Sequence, residues 1–112
     1  MNMLEVFNKV EAHLLSQGEK SMSSYLGLSD VCAYRGEGGK QCAVGCLIKD
    51  EFYHKDLEGW SAAPVLIASG INLSPEMEKM LNDLQYLHDG RDPKSWELRL
   101  QKLRIKYFGD DK

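Results

Sequence analysis

Apolar residues recur at helical spacing in three stretches of the chain. Near the N-terminus Met3, Phe7, Val10 and Leu14, with Val6 beside them, share one face, and Glu5, Lys9 and Glu11 fall largely on the other. This pattern predicts an amphipathic helix over residues 3–17. Gly18 is placed to end it, because glycine enters the left-handed region without steric cost. Further on, Met77, Met80, Leu81, Leu84, Leu87 and His88 form a single stripe behind Ser74-Pro75, an N-cap followed by proline at the first helical position. The expected helix spans 75–89 and closes at Gly90. Asp92-Pro93 repeats the start signal, and Trp96, Leu100, Leu103 and Tyr107 carry a helix over 93–108, ended by Gly109. The short turn between these last two helices implies antiparallel packing. Between the outer segments, AAPVLIAS reads as a short buried helix over 62–69, with Pro64 tolerated in its first turn.

The middle of the chain carries a different signal. Residues 19–30 mix serines and glycine with Met22, Tyr25, Leu26 and Leu28, which predicts an irregular connection tucked onto the core. Val31, Cys32, Ala33 and Tyr34 read as extended, Gly36-Glu37-Gly38-Gly39 as a turn, and Lys40, Gln41 and Cys42 as an antiparallel return. AVGCLI, at 43–48, reads as a short helical turn, and Asp50 to Tyr53 as another. Residues 54–61 read as an exposed loop anchored by Leu57 and Trp60. The fold class expected is therefore α+β. It is a mainly helical single domain over 1–112, with a β-hairpin at about 31–42 packed on helices at about 3–17, 62–69, 75–89 and 93–108.

Composition narrows the functions. A chain of 112 residues is the size of one domain, and 43% hydrophobic with 28% charged residues is ordinary for a globular protein. A net charge of −3, from 17 acidic and 14 basic residues, is too small an acid excess for a mimic of the DNA backbone. It has the wrong sign for a non-specific nucleic-acid binder. No apolar run is long enough to span a bilayer, and the amphipathic start lacks the basic, then unbroken apolar, plan of a secretory signal. The expectation is a cytoplasmic protein whose three cysteines stay as thiols.

Several constellations invite a chemical reading. Cys32, Cys42, Cys46 and His54 are spaced C-x9-C-x3-C-x7-H, which lacks the paired C-x2-C knuckles of a strong zinc signal, so buried thiols are expected. A catalytic cysteine needs a neighbouring base, and His13, His54 and His88 are the imidazoles at hand. His88 lies on an apolar stripe, so a hydrogen-bonded core histidine near Trp96 or the hairpin is expected. Asp89 is not automatically aimed at it, because neighbours on a helix diverge by about 100°. RGEGGK matches neither phosphate-loop fingerprint and reads as a turn. Asp50, Asp56 and Glu58 read as capping and turn carboxylates. Lys94, Arg99, Lys102, Arg104 and Lys106 make the last helix basic, with Arg99, Lys102 and Lys106 on one face, which complements the helix dipole or serves an acidic partner. No catalytic, cofactor-binding or metal-binding residue is assigned. Tyr34, Arg35, Tyr53 and Trp60 are the candidate partner-binding residues, since a clustered and exposed aromatic patch there would mark a binding face.

CAYRGEGGKQCAVGCLIKDEFY, then LEG, then LQYLHD, then a tryptophan in the final helix, resembles a group of small tailed-phage and prophage proteins with a CAYRGxxGxxCAxGxLI block. The likeness runs from about His13 to Tyr107. It implies a compact accessory protein of the bacterial host cytoplasm and assigns no catalytic role to any position. The function expected is non-enzymatic: binding a host protein to modulate it, in host takeover or counter-defence. The alternatives are a nucleic-acid-associated regulator using the basic last helix, and a small zinc- or thiol-dependent enzyme. No cofactor is expected, and oligomeric state is open.

Overall fold

The computed structural model describes residues 2–23, 31–32, 34–54 and 63–109. Its frame is helical. Helix α1 spans Met3–Gln17. The Asn2 side chain accepts from the Glu5 N–H at 2.8 Å, and the Glu5 carboxylate accepts from the Asn2 N–H at 2.9 Å. This reciprocal box satisfies two of the donors that every helix start leaves open. At the other end Gly18 takes φ 67°, and its N–H donates to the Leu14 carbonyl. The four residues Val6, Phe7, Val10 and Leu14 are fully buried.

Helix α2, Ala63–Ala68, is short and inserts Leu66 into the core. Helix α3, Pro75–Gly90, starts where the sequence signals it, with Ser74 Oγ accepting from the Met77 N–H at 3.1 Å. It runs through Gly90 and stops at Arg91, whose backbone is extended. Gly90 is thus the last helical residue and not a left-handed cap. The stop comes from Pro93, which disfavours helical backbone at Asp92. Asp92 caps a 3-10 turn at Pro93–Ser95, and helix α4 follows over Trp96–Phe108. Contacts between α3 and α4 run in opposite chain directions. The Trp96 indole N–H donates to the Leu87 carbonyl at 3.1 Å, and the Tyr107 hydroxyl reaches Asp83. This is the antiparallel pair read from the sequence. Helices α1, α3 and α4 share one core, built around Phe7, Leu14, Met80, Leu84, Trp96 and Leu100. Phe108 meets Phe7 edge to face at 5.6 Å between ring centres.

The α+β expectation is overturned: this is a small all-helical domain, and the hairpin of 31–42 does not form. Among the described residues, ladder pairing is confined to β1 (Met22–Ser23) against β2 (Val31–Cys32), two residues each. Val31 and Cys32 therefore pair backwards in the chain, not with residues 40–42. Of the expected hairpin one bridge remains, between Arg35 and Gln41. The physical reason is that neither arm is left to lengthen the pairing. Around the bridge the Gly36 N–H donates to the Lys40 carbonyl and the Cys42 N–H to the Tyr34 carbonyl, so the Gln41 N–H and carbonyl face away, toward side chains of α1. Val31 and Cys32 are paired with β1, and beyond Cys42 the chain coils into 3-10 turns at Gly45–Leu47 and Asp50–Phe52. The tip closes at Glu37–Gly39, where Gly38 and Gly39 take φ 71° and 77°. The two coiled turns, by contrast, fall where the sequence placed short helical turns.

Candidate functional site

The glycine- and cysteine-rich loop is held from both sides by polar side chains of the helices. From α1, Gln17 Oε1 accepts the Gln41 N–H at 2.8 Å, and Gln17 Nε2 donates to the Gln41 carbonyl at 2.9 Å. His13 Nε2 lies 2.8 Å from the same carbonyl, so that nitrogen carries the proton. His13 and Gln17 are one helical turn apart, which is why both reach one residue. From α3, Gln85 Oε1 accepts the Val44 N–H at 2.9 Å, while its amide donates to Asp89 Oδ1 at 2.8 Å.

Asp89 Oδ1 also lies 2.7 Å from His88 Nδ1. The other ring nitrogen, Nε2, accepts from the Ser21 N–H at 2.9 Å and is therefore unprotonated. The geometry fixes His88 as the neutral tautomer with the proton on Nδ1, donated to Asp89. His88 is fully buried and stacks on Trp96 at 5.6 Å. The expected core histidine next to Trp96 is present. Its carboxylate partner is Asp89, a pairing that the divergence of helical neighbours left open. Both nitrogens are committed to the fold, which leaves no lone pair for a substrate proton.

The thiols are equally committed. Cys42 Sγ accepts from the Gly45 N–H at 3.2 Å, and the Cys46 thiol points to the Ala43 carbonyl at 3.2 Å. Burial pushes both thiols up to about 12, opposed for Cys42 by the Gly45 N–H and for Cys46 by the Lys9 charge. A thiol so shifted carries almost no thiolate at neutral pH, the reverse of an activated nucleophile. His54 is exposed, and among the described residues no group of three or more His, Cys, Asp or Glu side chains is placed to share a metal ion. The loop itself exists because of Gly45. A Cβ there would lie 2.0 Å from the Tyr34 carbonyl oxygen, so only glycine allows the two backbone segments to touch.

Of the four candidate partner-binding residues, the structure brings two together. The Arg35 guanidinium sits 4.4 Å from the centre of the Tyr53 ring, 2.7 Å from Asp50 Oδ1 and 3.1 Å from the Ile48 carbonyl. These contacts staple the two 3-10 turns to the loop. Tyr34 is half-buried and lines a separate cleft of about 370 Å³ between α2 and α3, floored by Val44, Leu66 and Leu81 and edged by Glu78, Asn82 and Gln85. Trp60 lies outside the described residues, as do Asp56 and Glu58, while Asp50 is spent on Arg35.

A second groove, of about 270 Å³, runs between α3 and α4. Its floor is Leu87 and Leu103. Its walls are Tyr86 and Arg91 on one side and Arg99, Lys102 and Lys106 on the other, with Asp83 at one end. Asp83 accepts from Lys106 Nζ at 2.8 Å and from the Tyr107 hydroxyl. Burial raises its carboxyl, but these two hydrogen bonds and the ammonium charge outweigh burial and hold it below the ordinary carboxylate value. The Tyr107 phenol is raised, by burial first, then by its hydrogen bond to Asp83 and by the Asp83 charge. Of the basic residues on the last helix, Arg104 turns to α1, where it meets Glu11 at 2.6 Å and Asn8 at 2.8 Å. Arg99, Lys102 and Arg91 pair with no carboxylate among the described residues. The sequence marked Arg99, Lys102 and Lys106 as one face. It gave no sign of Tyr86 and Arg91 opposite, although they stand on the last turn of α3 and just past its end, where an antiparallel partner would bring them.

Among the described residues no helix is long and apolar enough to cross a membrane. Neither the family models, the curated proteins nor the solved structures compared with the chain contain a match.

Proposed function

We propose that the protein is a non-enzymatic phage or prophage accessory protein that works in the bacterial host cytoplasm by binding a host protein. One observation carries the reading: the groups that would do chemistry serve the fold, while the groups suited to recognition face outward along α3 and α4. The thiols of Cys42 and Cys46 are raised and bonded to backbone, and His88 has both nitrogens occupied. By contrast the α3–α4 groove presents Arg91, Arg99 and Lys102 beside a Tyr86 that is 60% exposed. Arginine and tyrosine are the residues that dominate binding energy at protein interfaces. The accessory role and the host setting rest on the sequence resemblance.

The test is affinity capture from the bacterial host with the tagged protein, followed by reconstitution. A single host protein that co-purifies in stoichiometric amount, and re-forms the complex from purified components, supports the reading. Capture of nothing that rebinds as a purified component overturns it. A salt-sensitive shift of DNA or RNA at sub-micromolar protein, with no protein partner, moves the assignment to a nucleic-acid regulator.

A further inference from the structure

We infer that the α3–α4 groove is a docking site for an acidic segment of another protein, one that sets an aliphatic or aromatic side chain on Leu87 and Leu103 and its carboxylates against Arg91, Arg99 and Lys102. This deepens the proposed function and rests on it for the claim that the partner is a protein of the host.

Charge is the first argument. Asp83 and Lys106 neutralise each other at one end of the groove, 2.8 Å apart. The other three cations surround the apolar floor, and among the described residues none has a carboxylate partner. They form a basic patch on a molecule of net charge −3. Two of them are already oriented. Arg99 Nε donates to Ser95 Oγ at 3.0 Å, and the Arg91 guanidinium lies 5.2 Å from the centre of the Tyr86 ring. Arginines held in this way lose less freedom on meeting a carboxylate, so more of each charge-assisted bond appears as affinity.

The apolar surroundings select the class of partner. Leu98 and Ile105 stand four residues before and three after Lys102, one turn to either side, and are 57% and 52% exposed. The cationic rim therefore has the groove floor of Leu87 and Leu103 on one side and an apolar shoulder on the other, across Lys102. An amphipathic acidic peptide satisfies both parts. A nucleic acid satisfies the cations only, and beyond the groove its phosphates meet a protein of net negative charge, a repulsion screened only over about 8–10 Å at physiological salt.

The test uses a random short-peptide display library panned on the folded wild-type chain and counter-selected on the Arg99→Glu, Lys102→Glu variant. Enriched sequences should carry two or more Asp or Glu flanking one aliphatic or aromatic residue. As labelled synthetic peptides they should bind in fluorescence polarisation, and binding should weaken more than tenfold in the double variant and in a few hundred millimolar salt. Lys102→Glu alone, at an exposed position, and Tyr86→Ala should each weaken it several-fold with an unchanged circular dichroism spectrum. Enrichment of peptides without acidic residues, binding indifferent to the charge reversals, or tighter binding of a single-stranded oligonucleotide than of any selected peptide overturns the inference. A host protein that reconstitutes equally with the double variant leaves the proposed function standing and removes this site. Acidic peptides that need the groove, with no host protein captured, do the reverse.

Discussion

Gly45→Ala is the sharpest single perturbation of this fold. Gly45 does not adopt a positive φ, so alanine brings no backbone penalty of its own. The whole effect comes from the new methyl, which would sit 2.0 Å from the Tyr34 carbonyl oxygen, 2.7 Å from its carbon and 2.9 Å from its Cα. Ordinary contact begins near 3.4 Å, and these are backbone atoms with no rotamer to change. The two segments must separate by more than an ångström. That separation pulls on the Arg35–Gln41 bridge, on the Cys42 N–H bond to the Tyr34 carbonyl and on the Gln85 bond to Val44. Overpacking in a core that can yield costs about 1–3 kcal/mol. Here it adds the loss of one or two hydrogen bonds of about 1 kcal/mol each, so about 3–4 kcal/mol is expected. For a domain of this size that lowers Tm by roughly 15 °C. The control is Gly18→Ala, where φ is 67° and nothing stands within 4 Å of the added Cβ. Its cost is conformational alone, about 1–2 kcal/mol. Urea and thermal unfolding followed by circular dichroism read both variants against wild type. A Gly45→Ala loss no greater than that of Gly18→Ala refutes the close approach of the two segments.

Two further predictions follow from the buried polar groups. Because Cys42 and Cys46 have folded-state values raised from about 9 to about 12, their contribution to stability is complete below pH 9 and is lost as pH rises from 9 to 12. Unfolding titrations should show this decline, Cys42→Ala should flatten it, and at neutral pH both thiols should react with disulfide reagents far more slowly than in urea. Replacing His88 by alanine strands the Ser21 N–H and opens a void beside Trp96, and should cost about 3 kcal/mol in urea midpoint measurements while abolishing exchange protection of the Ser21 amide. A loss under about 1 kcal/mol means the imidazole is dispensable to the core.

Legibility in the sequence tracked how local the controlling interaction is. The N-cap at Ser74, the end at Gly18 and the apolar stripes of α1, α3 and α4 are decided within a few residues, and the structure bears them out. The hairpin signals are local, and what limits the hairpin is not: Val31 and Cys32 pair with Ser23 and Met22, and the chain beyond Cys42 is anchored to α3. Alternation and a glycine turn sit at 31–42, yet the backbone groups of Gln41 and Val44 bond to Gln17 and Gln85, which lie 24 and 41 residues away in the chain. Sequence windows do not register such pairs. Gln17 looks like an ordinary polar residue at the end of a helix, and Gln85 like one on its polar edge. For the same reason the sequence leaves open whether Arg35 and Tyr53 are exposed, and in the structure Asp50, Ile48 and Tyr53 close around the guanidinium. The basic face of the last helix was legible by periodicity. Its opposite wall was not, because it depends on which turns of α3 face α4.

The same distribution of polar groups explains why recognition falls to α3 and α4. A loop with a single bridge to satisfy its backbone draws its other partners from the helices, and here they are His13, Gln17, Gln85 and, through Ser21, His88. Those side chains are then committed, and changing any of them loosens the loop. Arg91, Arg99 and Lys102 support no loop and meet no carboxylate among the described residues, yet their helices are fixed by Trp96 and Leu100 at the centre of the core. A rigid backbone carrying uncommitted charge is the arrangement in which a substitution alters binding and leaves folding alone. Charge reversal at Lys102 should therefore weaken binding with stability unchanged, whereas loss of Gln85 should lower stability and leave binding at the α3–α4 groove intact, because Gln85 ties the loop to α3 through Val44 and does not line the groove.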